Sequence, residues 1–559
     1  MGVATTNEAE RILATTGLLE YQKPRFKKEQ FVEHGGVLCA LPALLAQGLL
    51  SYKEVYTNLP KGYYGIESII LTLTIMALCR IKNPERLKQH RVGELGSLLG
   101  LDRVPEVKCL REKIKSIVGQ NQAQTWNEKL VSQWLGNPTE ESFYFYVDGH
   151  VRIYYGNKAN LPVKYISRQK LCLSATTEYW VNDQQGLPYL VVTGELTEKL
   201  EQVLKESIIH QLMANTIIQQ RQADHKEVLF TLVFDREAYH PAFFQALWQE
   251  YQIAVITYRK NVKDKWDNED FKPFEITVIN NKVTMLLCEK EVILGGFTFR
   301  EIRQLSEDGT HQTPIITTHP PSLSLEMIAS KMFSRWSQEN FFRYLIQDFD
   351  FDKMWTYGTQ ELDENKQIVN PAYRQNEQQI KKIREKKGRL NAKLANQLDE
   401  IVKNTIDHIP QYSNKQKQLI SQIENIEKEE NIVVAKRKII STKITLKEMP
   451  IDKKYNQLKS EHKHFINIIK MIAYRAETAL VQIITPHFTR DKEEGRMLIK
   501  QLMNTPADLM PDYQNKTLII RVAGLSANRF NQAIEELLLD LNKTETNYPG
   551  TDLRLIYTK

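Results

Sequence analysis

The chain has 559 residues, of which 42% are hydrophobic and 26% are charged, and its formal net charge at pH 7 is +7. This length exceeds one hydrophobic core and predicts about three or four domains, while the apolar content excludes a wholly disordered protein. The five scattered cysteines indicate neither a disulfide framework nor a zinc site, and the longest apolar runs are too short to span a membrane. We therefore expect a cytoplasmic, mildly basic protein that is compatible with a polyanionic partner.

Residues 1–135 are predicted to be helical. Apolar residues recur with helical periodicity through Ile66 to Leu78, and glycine-punctuated segments follow. Short helices of this kind suit a helix-turn-helix-like module that binds DNA ends. An ordinary helical bundle explains them equally well.

Residues 140–355 are predicted to form an α/β core with mixed connections. A period of two predicts four early strands, and an amphipathic helix from Leu196 to about Gln222 follows them. A further strand ends at Asp235, and a helix and another strand come next. A β-rich insertion at about 261–320 precedes a helix that begins near Ser324. The early strands are expected at 143–148, 150–155, 170–180 and 188–194.

Residues 356–485 are predicted to form a basic arm of two long antiparallel helices. Residues 371–460 contain 20 Lys and Arg against 11 Asp and Glu, a net charge of +9 that exceeds that of the whole chain. Such a surface either binds DNA phosphates or is the solvated face of a coiled coil. Residues 486–559 are expected to form a small α/β piece. The proposed phosphate contacts of the arm are Lys381, Lys382, Arg384, Lys386 and Lys387.

Three acids stand out in this order of elements. Asp148 lies in the strand pattern "YVDGH", Asp235 ends a later strand, and Glu339 lies on the helix after the insertion. A two-metal site for phosphoryl transfer requires such carboxylates, because they hold two Mg²⁺ ions and leave positions open for water and phosphate. Taken singly, each acid has a simpler role. The Asp-Gly pair suits a hairpin turn, Asp235 suits a helix cap, and Glu339 suits a pair with Arg335.

The matching segments "YVDGH", "LVFDREAY", "RWSQENFF" and "YPGTDLRL" resemble the DDE-type insertion-sequence transposases. The resemblance implies an RNase H-like core whose catalytic and metal-binding residues are Asp148, Asp235 and Glu339. The β insertion resembles that of the group with a YREK signature, in which Arg335 supplies the arginine. Met332 and Ile346 stand at the tyrosine and lysine positions of that signature.

The resemblance also implies cofactors and partners. It implies two Mg²⁺ ions, with Mn²⁺ as a substitute, and DNA as the substrate in the form of terminal inverted repeats and target DNA. A homodimer or larger synaptic complex in the bacterial nucleoid is expected. No P-loop pattern occurs, so no nucleoside triphosphate is expected to be needed.

Three further residues are candidate DNA contacts. His150 and Arg236 lie next to the acids and could contact phosphate, and Trp266 of the insertion could stack on a flipped base. The alternative functions are a metal-dependent nuclease with the same core, a non-catalytic DNA-binding protein of transposase descent, and a structural coiled-coil protein. A nuclease would lack strand joining, and the last two would have no use for the three acids.

Overall fold

The computed structural model describes residues 5–136, 138–166, 169–194, 198–278, 281–350, 358–403, 409–450, 454–487 and 492–559. Side chains are described for these residues except 397–403, 409–413, 415 and 492–493. Contacts divide the chain into two units. One contains residues up to Tyr155, Val163–Gly358 and Lys459–Lys559, and the other contains Gly156–Pro162 and Thr359–Leu458. Within these described ranges, no helix is both long enough and apolar enough to cross a membrane.

The N-terminal part of the first unit is mainly helical, as its periodicity predicts. Ten residues of its longest helix, Ile66–Leu78, are buried, so this helix is a core element without a free face for DNA. The helix Val107–Val118 instead buries one apolar stripe and leaves its other face to solvent. The elements are α1 Glu8–Thr15, β1 Glu29–Val32, α2 Leu41–Ala46, α3 Ile66–Leu78, α4 Val92–Ser97, α5 Val107–Val118 and α6 Ala123–Trp134.

A sheet with helical connections follows. The strands expected at 143–148 and 150–155 form one continuous strand through Asp148 and Gly149, so the alternative role of this Asp-Gly pair in a hairpin turn does not apply. The predicted long helix is broken near Asn215, whose side chain caps a new helix by accepting from the Ile217 amide. Its predicted first residue, Leu196, lies outside the described residues. The elements are β2 Tyr144–Ile153, β3 Val163–Ile166, β4 Leu171–Asn182, β5 Pro188–Gly194, α7 Leu200–Val203, α8 Ile209–Met213, α9 Thr216–Ala223, β6 Phe230–Phe234, α10 Pro241–Tyr251 and β7 Ile253–Tyr258.

The predicted insertion forms four strands, and two helices come after it. The side chain of Ser324 accepts from the Met327 amide and so begins the first helix where the sequence predicts. The predicted single helix is interrupted at Ser334 and Arg335, where tighter turns replace the regular α-helical bonds. The elements are β8 Lys272–Val278, β9 Asn281–Leu294, β10 Phe297–Leu305, β11 Gln312–Thr317, α11 Leu325–Phe333 and α12 Trp336–Phe349.

Strands β2 to β11 belong to one ten-stranded sheet. Its order is β3-β4-β2-β6-β7-β11-β10-β9-β8, and β5 also pairs with β4. Strands β2, β6 and β7 are parallel neighbours, and β4 is antiparallel to β2. The insertion continues this sheet, because β11 pairs with β7 in an antiparallel register. Because β2 and β6 run in the same direction, the residues that follow their last register pair, Val147 with Phe234, are brought side by side.

The second unit contains the predicted antiparallel helices. They are joined by hydrophobic contacts that include the buried residues Ile380, Ile383 and Ile426. Two short antiparallel strand pairs, β12 with β15 and β13 with β14, accompany them. The elements are β12 Thr359–Glu361, β13 Gln367–Val369, α13 Pro371–Lys403, α14 Ile409–Ile439, β14 Lys443–Thr445 and β15 Asn456–Leu458.

The C-terminal elements belong to the first unit. The helix Ser460–Ile484, predicted as part of the arm, is instead a central core helix that packs against α3, α6 and later helices. Strand β1 pairs with a C-terminal strand, so both ends of the chain contribute to one four-stranded sheet. The elements are α15 Ser460–Ile484, α16 Lys492–Asn504, β16 Ala507–Asp512, β17 Thr517–Val522, α17 Asn528–Asn542 and β18 Arg554–Thr558.

Candidate active site

Two of the predicted acids lie side by side where β6 ends next to the middle of β2. In the parallel pair of β2 and β6, Val147 is the register partner of Phe234. Asp148 and Asp235 are the next residues on their chains, and neighbouring strands are about 4.8 Å apart. The strand register therefore places the two carboxylates together, although 86 residues separate them in the sequence.

Backbone contacts orient both carboxylates. Oδ1 of Asp148 accepts a hydrogen bond from the Gly149 amide at 2.9 Å. Oδ1 of Asp235 accepts from the Arg236 amide at 2.7 Å and caps the short helical turn that follows β6. Gly149 is required here, because a Cβ at this position would lie 2.9 Å from the ring of Tyr179.

Glu339 reaches the same region from the first turn of α12. Nη2 of Arg335 lies 2.7 Å from Oε1 of Glu339, and its Nη1 lies 3.6 Å from Oδ2 of Asp148. The arginine therefore links the helix acid to the strand acid. About half of the Glu339 side chain is exposed, compared with about a quarter of the Asp148 side chain.

The buried side chain of Gln338 anchors α12 to the sheet. Its Nε2 donates to the carbonyl oxygens of Tyr146 and Trp180, both at 3.0 Å, and to Oδ1 of Asn182 at 2.9 Å. These acceptors lie on β2 and β4, next to Asp148. Gln338 thus fixes where the adjacent Glu339 stands relative to the strand acids.

The electrostatics of Asp148 indicate a crowded cluster of carboxylates. The pKa of Asp148 is raised from 3.8 to about 6, mainly because the carboxyl is buried and to a smaller extent because Glu237 and Asp235 are near, while Arg335 and the Gly149 amide oppose the rise. The pKa of the Tyr258 hydroxyl is raised mainly by burial, and Asp235 and Glu339 both contribute. Such crowding of like charges is relieved by a bound cation.

The donor chemistry of this cluster fits Mg²⁺, which prefers carboxylate oxygens. Asp148 and Asp235 are adjacent, and Glu237 adds a third carboxylate near Asp148. In the described part of the chain, the oxygens of Asp148, Asp235 and Glu339 do not all lie within 4.8 Å of one another. Arg335 lies close to two of these acids and is a counter-charge to both.

Three residues of the candidate site were missed by the sequence reasoning. The charge of Glu237 raises the pKa of Asp148, and its carboxylate accepts a hydrogen bond from the Tyr179 hydroxyl at 3.0 Å. Its position two residues after Asp235 is the one signal that could have identified it. Tyr258 and Gln338 carry no such signal, because only the pairing of strands and the packing of α12 bring them to the acids.

The other three predicted DNA contacts, His150, Arg236 and Trp266, differ in how far they are exposed to solvent. His150 is buried and its ring stacks on Phe342, so it packs inside the protein and not at the surface where phosphate would bind. Arg236 is exposed beside Asp235. Trp266 is partly buried, and the guanidinium of Arg303 lies 4.1 Å from its ring centroid, so it is not the free loop aromatic that stacking on a base requires.

The two positions that depart from the YREK signature have packing roles. Met332 is fully buried between α11 and the sheet, and Ile346 packs against the core below α12. Neither side chain carries a hydroxyl or an ammonium group. The tyrosine and lysine functions of that signature are therefore not supplied from these positions.

The basic residues of the arm fall into two sets. Arg384 pairs with Glu430 at 2.7 Å, and Lys387 pairs with Glu427 at 2.9 Å. Lys381, Lys382 and Lys386 are exposed, and within the described ranges they form no ion pair. The first set joins α13 to α14, and the second set remains available to a polyanion.

Comparison with known proteins gives one match. The sequence profile of a family described as "Transposase protein" matches residues 2–559, which is almost the whole chain. No curated protein and no solved structure matches the chain.

Proposed function

Because the chain belongs to this family of transposase proteins, we propose that it is a DDE transposase with an RNase H-like core. It cleaves DNA at the ends of a mobile element and joins the freed 3′-hydroxyls to target DNA. The carboxylates of Asp148, Asp235 and Glu339 are its catalytic groups.

The strand arrangement supports this core. The strands β5, β4 and β2 form an antiparallel set. Strand β6 pairs in parallel with β2, and β7 pairs in parallel with β6, with helices in the connections. This is the order expected of an RNase H-like sheet. The single observation that carries the proposal is the register of β2 and β6, which puts Asp148 beside Asp235. Arg335 lies between Asp148 and Glu339 and so brings the third acid to the same place.

Each residue of the site has a proposed role in the reaction. Asp148, Asp235 and Glu339 would hold two Mg²⁺ ions, which when bound activate the attacking oxygen and stabilise the leaving one. Gln338 keeps Glu339 facing the strand acids. Arg335 balances charge between Asp148 and Glu339 and becomes free to contact the DNA backbone when cations take over that role.

DNA is the proposed partner for two reasons. The exposed Arg236 stands next to Asp235, where a phosphate would lie during the reaction. The second unit also presents the exposed basic side chains of Lys381, Lys382 and Lys386, which form no ion pair with the side chains that the structure describes. A transposase acts on two ends at once, so a dimer or larger synaptic complex is part of this proposal.

Strand transfer with a pre-cleaved DNA end tests the proposal. Asp148→Asn, Asp235→Asn and Glu339→Gln should each abolish joining with Mg²⁺ or Mn²⁺ while DNA binding persists, because one site performs the chemistry. Ca²⁺ should support binding with little joining. Asp267→Asn, in an exposed turn of the insertion, is the matched control and should retain activity.

Joining at a near wild-type rate by Asp148→Asn would overturn the assignment of Asp148. Cleavage by the wild-type protein without any joining would indicate a nuclease and not a transposase.

A further inference from the structure

A second cluster of metal-ligand side chains lies outside the carboxylate site. Glu33 and His34 follow strand β1, and His90 ends the short helical turn before α4. In the described part of the chain, this is the group of three His, Cys, Asp or Glu residues whose donor atoms come within 4.8 Å of one another. Nothing in the proposed DNA chemistry uses it.

The distances between donor atoms suit a tetrahedral ion. Nε2 of His34 lies 3.3 Å from Nδ1 of His90, and Oε1 of Glu33 lies 3.5 Å from the first atom and 3.9 Å from the second. Two ligands that are each about 2.0–2.1 Å from a tetrahedral zinc ion lie about 3.3–3.4 Å apart. The three atoms therefore need to move by only a few tenths of an ångström to share one ion.

The cluster is held in place before any ion binds. The Glu33 amide donates to Oε2 of Glu94 at 2.8 Å, and Arg91 pairs with the other oxygen of Glu94 at 2.7 Å. His34 has a left-handed backbone, with φ of 60°, which is uncommon outside glycine and aims its ring toward His90. Glu94 and Arg91 thus fix the Glu33 and His34 backbone to α4.

The cluster is accessible to solvent on one side. The His34 side chain is 9% exposed, that of His90 is 23% exposed and that of Glu33 is 40% exposed. Solvent can therefore supply a fourth ligand from the Glu33 side. Two imidazole nitrogens with one carboxylate favour Zn²⁺ or a similar transition-metal ion, because Mg²⁺ prefers oxygen donors only.

We propose that Glu33, His34 and His90 bind one divalent transition-metal ion of the zinc class. The ion joins the segment after β1 to the segment before α4 and so acts as a structural clip within the first unit. This site was not predicted from the sequence, because the prediction considered cysteine spacing and the two histidines are 56 residues apart.

Zinc uptake by the full-length protein tests the proposal. After removal of metals with EDTA, the wild-type chain should take up one Zn²⁺ in competition with a chromophoric chelator, and excess Mg²⁺ should not displace it. Co²⁺ should give the visible absorption of a four-coordinate site. The melting temperature should rise with added Zn²⁺.

Two variants remove ligands without enlarging the core. Glu33→Gln and His90→Gln should each weaken Zn²⁺ binding about 100-fold or more, since even loss of an outer-shell partner weakens binding about 10–100-fold. Their melting temperatures in EDTA should match that of the wild type, which shows that they fold. His311→Gln, at an exposed histidine of the insertion, should bind Zn²⁺ like the wild type.

Failure of the wild-type protein to take up Zn²⁺ would overturn the proposal and leave a hydrogen-bonded triad. Unchanged Zn²⁺ affinity in both ligand variants would also overturn it. Neither result bears on the DNA chemistry, which is measured with Mg²⁺ and the carboxylate variants.

Discussion

At the scale of single residues, the carboxylate site is defined by a conflict between burial and charge. Asp148 lies in the middle of a strand, is three-quarters buried, and is surrounded by the charges of Glu237 and Asp235. The one nearby cation that opposes them among its described neighbours is Arg335, at 3.6 Å. An acid at this position costs stability, so its presence supports a catalytic role.

Asp148→Asn should stabilise the metal-free protein at neutral pH. The pKa of Asp148 is raised from 3.8 to about 6, so the folded protein holds a proton that the unfolded chain releases between these values. The free energy of unfolding therefore falls as pH rises through this window. Above pH 6 the loss amounts to about 2–3 kcal/mol, which the asparagine variant avoids.

Urea unfolding between pH 4 and pH 8 without divalent cations measures this difference. The variant and the wild type should be similar near pH 4 and diverge above pH 6, while Asp267→Asn should follow the wild type throughout. Equal stability of Asp148→Asn and wild type at pH 8 would contradict the crowded-carboxylate description. Added Mg²⁺ should stabilise the wild type more than the variant.

Arg335→Gln should shift the pH dependence of strand transfer. Arg335 holds the pKa of Asp148 down, and protons compete with metal ions for a carboxylate. Without the arginine, the acid limb of the rate profile should move to higher pH by about one unit or less.

Arg343→Gln is the matched control, because Arg343 is an exposed arginine on the same helix. If Arg343 contacts DNA, its loss lowers the rate at every pH and leaves the acid limb in place. An Arg335→Gln profile with an unmoved acid limb would show that the arginine serves DNA binding alone.

At the scale of elements, the basic residues of α13 are of two kinds, those paired with glutamates of α14 and those that form no ion pair among the described residues. Arg384 and Lys387 are occupied by glutamates of α14, whereas Lys381, Lys382 and Lys386 project from α13 without partners in the described ranges. The predicted alternatives for this surface, DNA contact and a solvated coiled-coil face, therefore apply to different residues of the same helix.

Replacing Lys381, Lys382 and Lys386 with glutamine should flatten the salt dependence of DNA binding. Each phosphate contact contributes about 0.9 to the slope of log affinity against log salt, so the triple variant should lose up to about 2.7. Fluorescence anisotropy with duplex DNA at several KCl concentrations measures this slope.

The double variant Arg384→Gln and Lys387→Gln is the control, since it removes cations that are already neutralised by Glu430 and Glu427. Its slope should change by less than about one. A triple variant with the wild-type slope would show that this face of α13 is only solvated.

At the scale of the whole molecule, the first unit is assembled from distant parts of the chain. Strand β1 pairs with β16, and helix α15 packs against α2, α3 and α6 while α12 shares the same hydrophobic core. Residues 1–135 therefore do not contain all the surfaces that bury their own apolar side chains. End recognition by this region is a proposal that has to be tested in the full chain.

A fragment of residues 1–135 should accordingly fail to fold by itself. Without β16 and α15, the buried faces of α2 and α3 are left in water, and a domain that lacks much of its core has little net stability. Calorimetry and near-ultraviolet circular dichroism should show no cooperative transition for the fragment, in contrast to the full chain. A sharp transition, together with binding to terminal repeats, would contradict this.

The sequence by itself determined the elements and the candidate acids. Periodicity of apolar residues predicts α3, the arm helices and most strands of the sheet, and the side chains that carry the resemblance identify Asp148, Asp235 and Glu339. These are local patterns, and hydrophobic period and residue type are sufficient to recognise them. The errors at local scale, such as the division of one strand into two at Gly149, arose where strand pairing overrode the turn preference of Asp-Gly.

Only the tertiary structure decided how distant segments meet. The register of β2 with β6, the anchoring of α12 by Gln338 and the position of Arg335 near Asp148 depend on pairings between residues 87 to 192 positions apart. The approach of His34 to His90 and the placement of α15 in the core depend on long-range packing in the same way. Such contacts leave no periodic signal in the chain, because they are selected by the fit of whole elements and not by neighbouring residues.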